Sequence, residues 1–404
     1  MKPISVGNQT SAPGISRATY LSLVVITAIV PMILLVAPAA ASQMALQLKL
    51  SPAQIGTYFF FELGAFSLGT IPCSLALHRV DGRRIALVAA IVFCLGNLAT
   101  AWLGTTFIAL LVLRSITSLA AGVLNVLCLM TAARAHNPDR LFGVCITGQL
   151  IAGAIGLWVF PQLFASFGLA ALYVAMGLLG ISFIAVARNF PDFLVRPEPA
   201  ASRTASAGNS TSGFALPVVV VLSVFLFYLA MGGVWTFVHG SAHSVGLDAA
   251  TAGKVMSIAT IMGIIGAGLA SYLGGKVNRS LVLWIGYAVM VASILGLSYK
   301  GGLEGFVAAV FLFKFGWTFV LPFIFAAAAK VSSARLFGTL SLFVGGGLAF
   351  GPLIGGFLIQ ATGSSKTLYV VAAIATAVSA VMLNRIAAVG KSTPLSVEPG
   401  LQNQ

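Results

Sequence analysis

Apolar runs of roughly 20 residues follow one another along almost the whole of this chain, and roughly that length is what a helix needs to cross the hydrocarbon core of a bilayer. Such runs leave no surface for water. Only 7% of the residues are charged and 59% are hydrophobic, whereas a soluble domain carries about 25% charge. The chain reads as an all-α membrane protein with twelve transmembrane helices in two six-helix, pseudo-symmetric halves. Six spans fall at about 18–42, 54–77, 85–104, 107–133, 141–167 and 169–187, and six more at about 214–240, 250–275, 281–299, 303–329, 336–362 and 367–384.

One long polar stretch, Arg188 to Gly213, separates the two sets. It holds three prolines, three arginines and a Ser/Ala/Gly/Thr run, a composition that builds no packed core and reads as a linker. The expected organisation is an N-terminal six-helix bundle over 1–187, a cytoplasmic linker over 188–213, and a C-terminal six-helix bundle with a short cytoplasmic tail over 214–404.

The net charge of +14 would suit nucleic acid if it were gathered on one soluble face. It lies instead in short loops between spans, where it sets membrane orientation. A lipid bilayer, and not nucleic acid, is therefore the expected setting. With the N-terminus inside, sixteen Lys and Arg fall on the cytoplasmic side and four (Lys49, Lys254, Lys300 and Lys366) on the outer side. Both termini and the linker are then cytoplasmic. The four cysteines, Cys73, Cys94, Cys128 and Cys145, all sit inside apolar runs of the first half and read as small packing residues, not as metal ligands.

The halves repeat. Arg140-Leu141-Phe142-Gly143 after the fourth span returns as Arg335-Leu336-Phe337-Gly338 after the tenth, 195 residues on. Gly82-Arg83-Arg84 is echoed by Asn278-Arg279-Ser280 at an offset of 196, and Arg114 is matched with Lys314 at 200. An even number of spans per half preserves orientation, so the repeat is parallel. Proteins built this way often place a substrate site between the halves, near the midplane.

Glycines at four-residue spacing give a helix a flat face for close packing. Gly347, Gly351, Gly355 and Gly356 do so in the eleventh span, with Pro352 adding a bend. Together with two sets of six spans, a polar linker and basic loops after spans two and eight, this stretch resembles the G-x-x-x-G-P-x-x-G-G signature of the major facilitator superfamily. The resemblance covers about Arg17 to Arg385. In that family the signature marks the fifth span of many proton-driven exporters. Here the fifth span has only the looser set Gly148, Gly153, Gly156 and Pro161. The stretch Leu75 to Arg84 is similar to the family's loop G-x-L-x-D-x-x-G-R-[KR]. Leu77 and the Gly82-Arg83-Arg84 end match; Leu75 and Arg79 stand where the family has glycine and an acid, and Asp81 lies two residues late. The resemblance implies alternating access around a cavity lined by spans one, four, seven and ten, a latch at the basic loop, a monomer, and a place in the bacterial inner membrane.

Three ionisable residues lie deep within spans: Glu62, Arg114 and Lys314. Such residues are costly in hydrocarbon and functional by default. Each is about seven to eleven residues from the outer end of its span, so their depths permit pairing. Glu62, in Phe59-Phe60-Phe61-Glu62-Leu63-Gly64, has three readings: a proton carrier that couples transport, a fixed ion pair with Arg114 tying spans two and four, or a solvated carboxylate. In the family's cavity Arg114 and Lys314 would face each other, leave the site positive, and suit a carboxylate-like anion. For Lys314 the alternatives are a pair with Glu304 or a side chain reaching out of the membrane. Tyr228 and Trp235, seven apart on one face, and Trp317, three after Lys314, are candidate cavity walls, with helix packing or lipid contact as the alternative for each. His239 reads as an interfacial histidine, with pH sensing as the alternative.

The sequence has no G-x-x-x-x-G-K-[ST] loop, no H-E-x-x-H pair and no nucleophile–base constellation. No enzyme activity, metal or cofactor is expected. The reading is a secondary active transporter moving a small organic solute, anionic and proton-coupled. Its alternatives are a proton-driven efflux pump for hydrophobic or cationic compounds and, in another class, a non-transporting membrane sensor.

Overall fold

The computed structural model describes residues 16–76, 80–188, 190, 215–274, 276–299, 301–329 and 334–389. Of the expected linker 188–213, all but Arg188 and Phe190 lies outside the described residues, as do Leu77, His78 and Arg79 of the basic loop. The regular structure of the described residues is helical throughout.

Ten helices are each long and apolar enough to cross a membrane: α6 (Gly82–Leu103), α7 (Phe107–Ala132), α8 (Pro138–Phe167), α9 (Ala170–Ala187), α10 (Ala215–Ser244), α11 (Ala249–Leu273), α12 (Arg279–Ser298), α13 (Gly302–Ala329), α14 (Ala334–Thr362) and α15 (Ser365–Val389). The remaining two spans are broken. The first is divided into α1 (Arg17–Ile29), α2 (Met32–Leu35) and α3 (Ala37–Gln47), and the second into α4 (Pro52–Leu68) and α5 (Thr70–Ala76). Pro31 and Pro38 account for the first break, since neither has an N–H to continue the helical ladder. Polar caps mark helix starts at the ends of spans: Ser51 and Gln54 form a capping box on α4, and Asp81, Thr106 and Asp248 cap α6, α7 and α11. The Thr251 backbone N–H and then its hydroxyl hold the exposed Asp248 carboxyl below its ordinary value.

Helices alternate in direction, so the starts of α6, α10 and α12 share one face with the ends of α9, α13 and α15. Arg83 Nε donates to the Phe190 carbonyl at 3.4 Å, Arg279 Nη1 to the Ala326 carbonyl at 3.1 Å, and Ser280 Oγ to Asn384 Oδ1 at 2.9 Å. This is called the linker face. The far face carries the end of α3 and the start of α9, where the Leu169 N–H donates to Gln47 Oε1 at 2.7 Å.

Within the first half α4 packs on α7, α6 on α7 and α9, and α8 on α1 and α2. Within the second, α11 packs on α13, α12 on α13 and α15, and α14 on α10. The halves meet through α4 with α14, α8 with α11, and α3 with α10. Glycines set these approaches twice over. A methyl group at Gly56 would strike the Pro352 carbonyl, and one at Gly253, 197 residues later, would strike the Leu157 carbonyl. Gly69 abuts Leu119 and Gly122 of α7, while Gly266 abuts Phe315 and Thr318 of α13. These packing equivalences run at offsets of 196 and 197. They make Lys314 the counterpart of Ser118, one turn from the Arg114 position that sequence spacing suggests.

Candidate functional site

A cavity of about 410 Å³ lies between the halves, on their linker-face side. It is walled by Val30, Pro31, Leu34, Leu63, Phe66 and Val126 among others, with Phe325, Val344 and Leu348 from the second half. Its polar lining is sparse: Ser67, Thr70, Asn125 and Glu62. Glu62 is the charged side chain in that lining. On the far-face side the halves are in contact: the Ala53 N–H donates to Gln360 Oε1 at 3.2 Å, Ser257 Oγ to the Ala154 carbonyl at 2.7 Å, and Trp235 Nε1 to the Leu34 carbonyl at 3.0 Å.

Behind Glu62 is a closed polar cluster. Arg114 grips the carboxylate with two parallel bonds, Nε to Oε2 at 2.8 Å and Nη2 to Oε1 at 2.6 Å. Its Nη1 donates to Asn97 Oδ1 at 2.8 Å, and the Asn97 amide is oriented by donating to the Phe93 carbonyl at 2.8 Å. The Ser118 hydroxyl also donates to Glu62 Oε1. The guanidinium lies 5.1 Å from the Tyr173 ring centroid, and Tyr173 shares a hydrogen bond of 3.0 Å with Tyr58. Glu62 is 3% exposed and Arg114 1%, so the solvated-carboxylate reading does not hold, and the ion pair between spans two and four is present. Each cluster member has a physical reason to be there. A buried carboxylate needs its oxygens filled, and the fork of arginine matches it two bonds at a time.

Lys314 is placed differently. Its Nζ sits 3.6 Å from the Trp235 ring centroid and 4.5 Å from that of Trp317, and the two indoles meet edge to face at 6.4 Å. Among the described residues no carboxylate pairs with it; the Glu62–Arg114 bridge is a separate one, and Glu304 is exposed at the start of α13. Lys314 is 5% exposed, so its side chain does not reach out of the bundle. Indole faces stabilise a desolvated ammonium. The structure thus brings Lys314, Trp235 and Trp317 together but does not bring Lys314 to Arg114. Arg114 points into the first half, where each of its three guanidinium nitrogens donates to Glu62 or Asn97. None of Arg114, Lys314, Tyr228, Trp235 or Trp317 lines the cavity; Tyr228 packs edge to face on Phe227 and beside Gly347.

The model of the Major Facilitator Superfamily matches residues 21–339. The chain belongs to that superfamily. It is accordingly a membrane transporter and not an enzyme. No curated protein sequence matches it. Among solved structures it is similar to a mutant form of the nucleoside transporter NupG, at 16% identity and a TM-score of 0.69 over 91% of this chain and 99% of that one. It is also similar to a D-xylose-proton symporter (15%, 0.71, 91% and 95%) and to the inward open xylose transporter XylE from E. coli (14%, 0.71, 90% and 94%). Identities this low bear on the fold alone.

In this superfamily member the glycine motif faces three ways. Methyl groups at Gly347 and Gly351 would collide with α10 backbone at Phe225 and Leu229, and one at Gly355 would press on Leu368 of α15. Gly356 faces the other half, against Pro52 and Ala53, and the Pro352 carbonyl meets Gly56. In the fifth span Gly148, Gly153 and Gly156 pack on Val24, Leu35 and Val36 of the broken first span. Gly82 and Arg83 begin α6, Asp81 caps it, and Arg84 is exposed on its outer side. Asn97, Ser118, Tyr58 and Tyr173 are cluster residues that the sequence reading did not assign. Tyr58 is recoverable from spacing, one turn before Glu62 on the same face. Nothing in the spacing of Asn97 or Tyr173 says that spans three and six lie beside spans two and four.

Proposed function

We propose that this transporter moves a small carboxylate-like solute together with protons by alternating access, with the linker face in the cytoplasm of a bacterial inner membrane. The orientation is supported by Arg83, Arg84, Arg140, Arg188, Arg279 and Arg385 lying toward that face, as the distribution of cations in membrane loops requires; the short loops support the bacterial setting. The observation that carries the functional reading is that Glu62 alone brings charge to the described cavity lining, and that Arg114 holds it from behind. A proton on Glu62 removes the negative partner of Arg114. The cation is then uncompensated, and a substrate carboxylate takes the place that Glu62 has left. Charge in the site stays balanced only when proton and anion are present together, which is the thermodynamic basis of coupling.

A second reading is favoured by the apolar lining of Leu34, Leu63, Phe66, Val126 and Phe325: an exporter of hydrophobic or cationic compounds with Glu62 as the cation site. One comparison separates the two. Wild type and Glu62→Gln are titrated with a panel of small carboxylates and a panel of lipophilic cations, by ligand-induced thermal shift across pH. On the anion reading, carboxylates bind wild type more tightly as pH falls, and Glu62→Gln binds them with no pH dependence. If cations bind wild type and Glu62→Gln loses them, the exporter reading replaces it.

A further inference from the structure

We infer that Trp235 is a latch residue: its indole N–H, donated to the Leu34 carbonyl, holds the far side of the cavity shut, and Lys314 positions that indole. The inference begins with Pro38. In an unbroken helix the Leu34 carbonyl accepts from the N–H four residues on, and that residue is Pro38, which has none. Within its own segment the Leu34 carbonyl is left with the Val36 N–H two residues on, which is shared with the Met32 carbonyl, so its remaining lone pair calls for a donor from elsewhere. Trp235, on α10 of the opposite half, supplies it at 3.0 Å.

The bond crosses the interface between halves at a point that matters for access. Leu34 lines the cavity, and the lining residues of the first span on its N-terminal side, Val30, Pro31 and Ile33, lie toward the linker face. Trp235 is 1% exposed and sits toward the far end of α10. Opening the far side requires the broken first span, α2 and α3, to separate from α10, and this bond from α10 to Leu34 of α2 must then break.

Lys314 fixes the donor. Its ammonium lies over the Trp235 ring, and Trp317 supports the same ammonium from α13. The indole is therefore clamped between a cation on one side and a backbone carbonyl at its edge. Lys314 acts through Trp235 and is a positioning residue. The same geometry explains a lysine in this place without a carboxylate: a carboxylate would draw the ammonium off the ring.

The test is a double-mutant cycle read on the far-face opening and not on transport alone. Spin labels at Thr105 and Lys366 report far-face distances in reconstituted protein; both residues lie on far-face loops or helix starts in opposite halves. Trp235→Phe keeps the ring over Lys314 and removes the N–H. Pro38→Ala returns a helical N–H to the Leu34 carbonyl, which competes with the indole. Each variant is expected to raise the open-to-closed ratio roughly fivefold, the size of one net hydrogen bond. Because both act on one bond, the double variant should open no further than either single one. Lys314→Met should give a rise in the same direction.

The inference rests on the alternating-access reading, and the two fail differently. If the wild-type distances never change with pH or ligand, alternating access is lost. If they change in wild type but Trp235→Phe and Pro38→Ala leave the populations as they were, or if the two effects simply add, the latch is overturned while the transport reading stands.

Discussion

Glu62 and Arg114 show how completely a membrane protein satisfies a charge that it buries. The pair is held by two direct bonds, a serine, an asparagine and a tyrosine ring, drawn from four different spans. Asn97 has the least replaceable part, because it accepts from the one Arg114 nitrogen that does not touch Glu62. Asn97→Leu keeps the volume and leaves that N–H buried without an acceptor. We expect it to lower the stability of the purified protein by about 1–3 kcal/mol, read from thermal unfolding in detergent; an unchanged melting temperature would mean that the guanidinium finds another acceptor. The pairing of Glu62 with Arg114 was legible in the sequence, since two opposite charges at similar depth in neighbouring spans have few other partners. The supposed opposition of Arg114 and Lys314 was not. Depth can be counted along a helix, but rotation about its axis depends on packing, and packing makes Ser118, not Arg114, the counterpart of Lys314 in the other half.

At the scale of elements, α14, the eleventh span, joins its own half and the other half with one motif. Gly351 lies against α10 of its own half, and Gly356 against α4 of the other. A methyl group at either must displace backbone. Gly351→Ala should cost stability in every conformation, about 1–3 kcal/mol by overpacking. Gly356→Ala should cost the far-side-closed state alone and shift the population toward far-side opening, measured as increased labelling of a cysteine placed at Gln360. If Gly356→Ala merely lowers the melting temperature and labelling stays constant, the two surfaces are not functionally separate. The close-packing role of these glycines could be read from their four-residue spacing, but their division between partners could not. The broken first span was likewise hidden: its apolar run is continuous, and the prolines at 31 and 38 show where a break is possible, not which outside donor fills it.

The whole molecule is two similar bundles pressed together on the far side and parted by a cavity on the linker side. Twelve spans, their parallel repeat and the superfamily fold followed from apolar run length and the recurrence of Arg-Leu-Phe-Gly, because span number is fixed by hydrocarbon thickness. The state of the interface depends on contacts between residues some 300 positions apart, such as Ala53 with Gln360, which no local pattern encodes. Cysteines at those two positions, joined by a short reducible crosslinker, should stop uptake into proteoliposomes, and reduction should restore it. Uptake that continues through the crosslink would show that the far side need not open. The four native thiols are buried and leave the background of such an experiment low.

The placement of the buried cations also bears on how the chain is made. A lone charge at the centre of a nascent span carries about 2.5–3.5 kcal/mol of insertion penalty. Arg114 emerges 52 residues after Glu62, so the acid has already been synthesised when the base arrives. Lys314 emerges after Trp235 in the same way. In each half the ribosome delivers one partner before the cation, Glu62 before Arg114 and Trp235 before Lys314, while Trp317 follows on the same helix as Lys314, so the costly helix reaches the bilayer with part of its host already made.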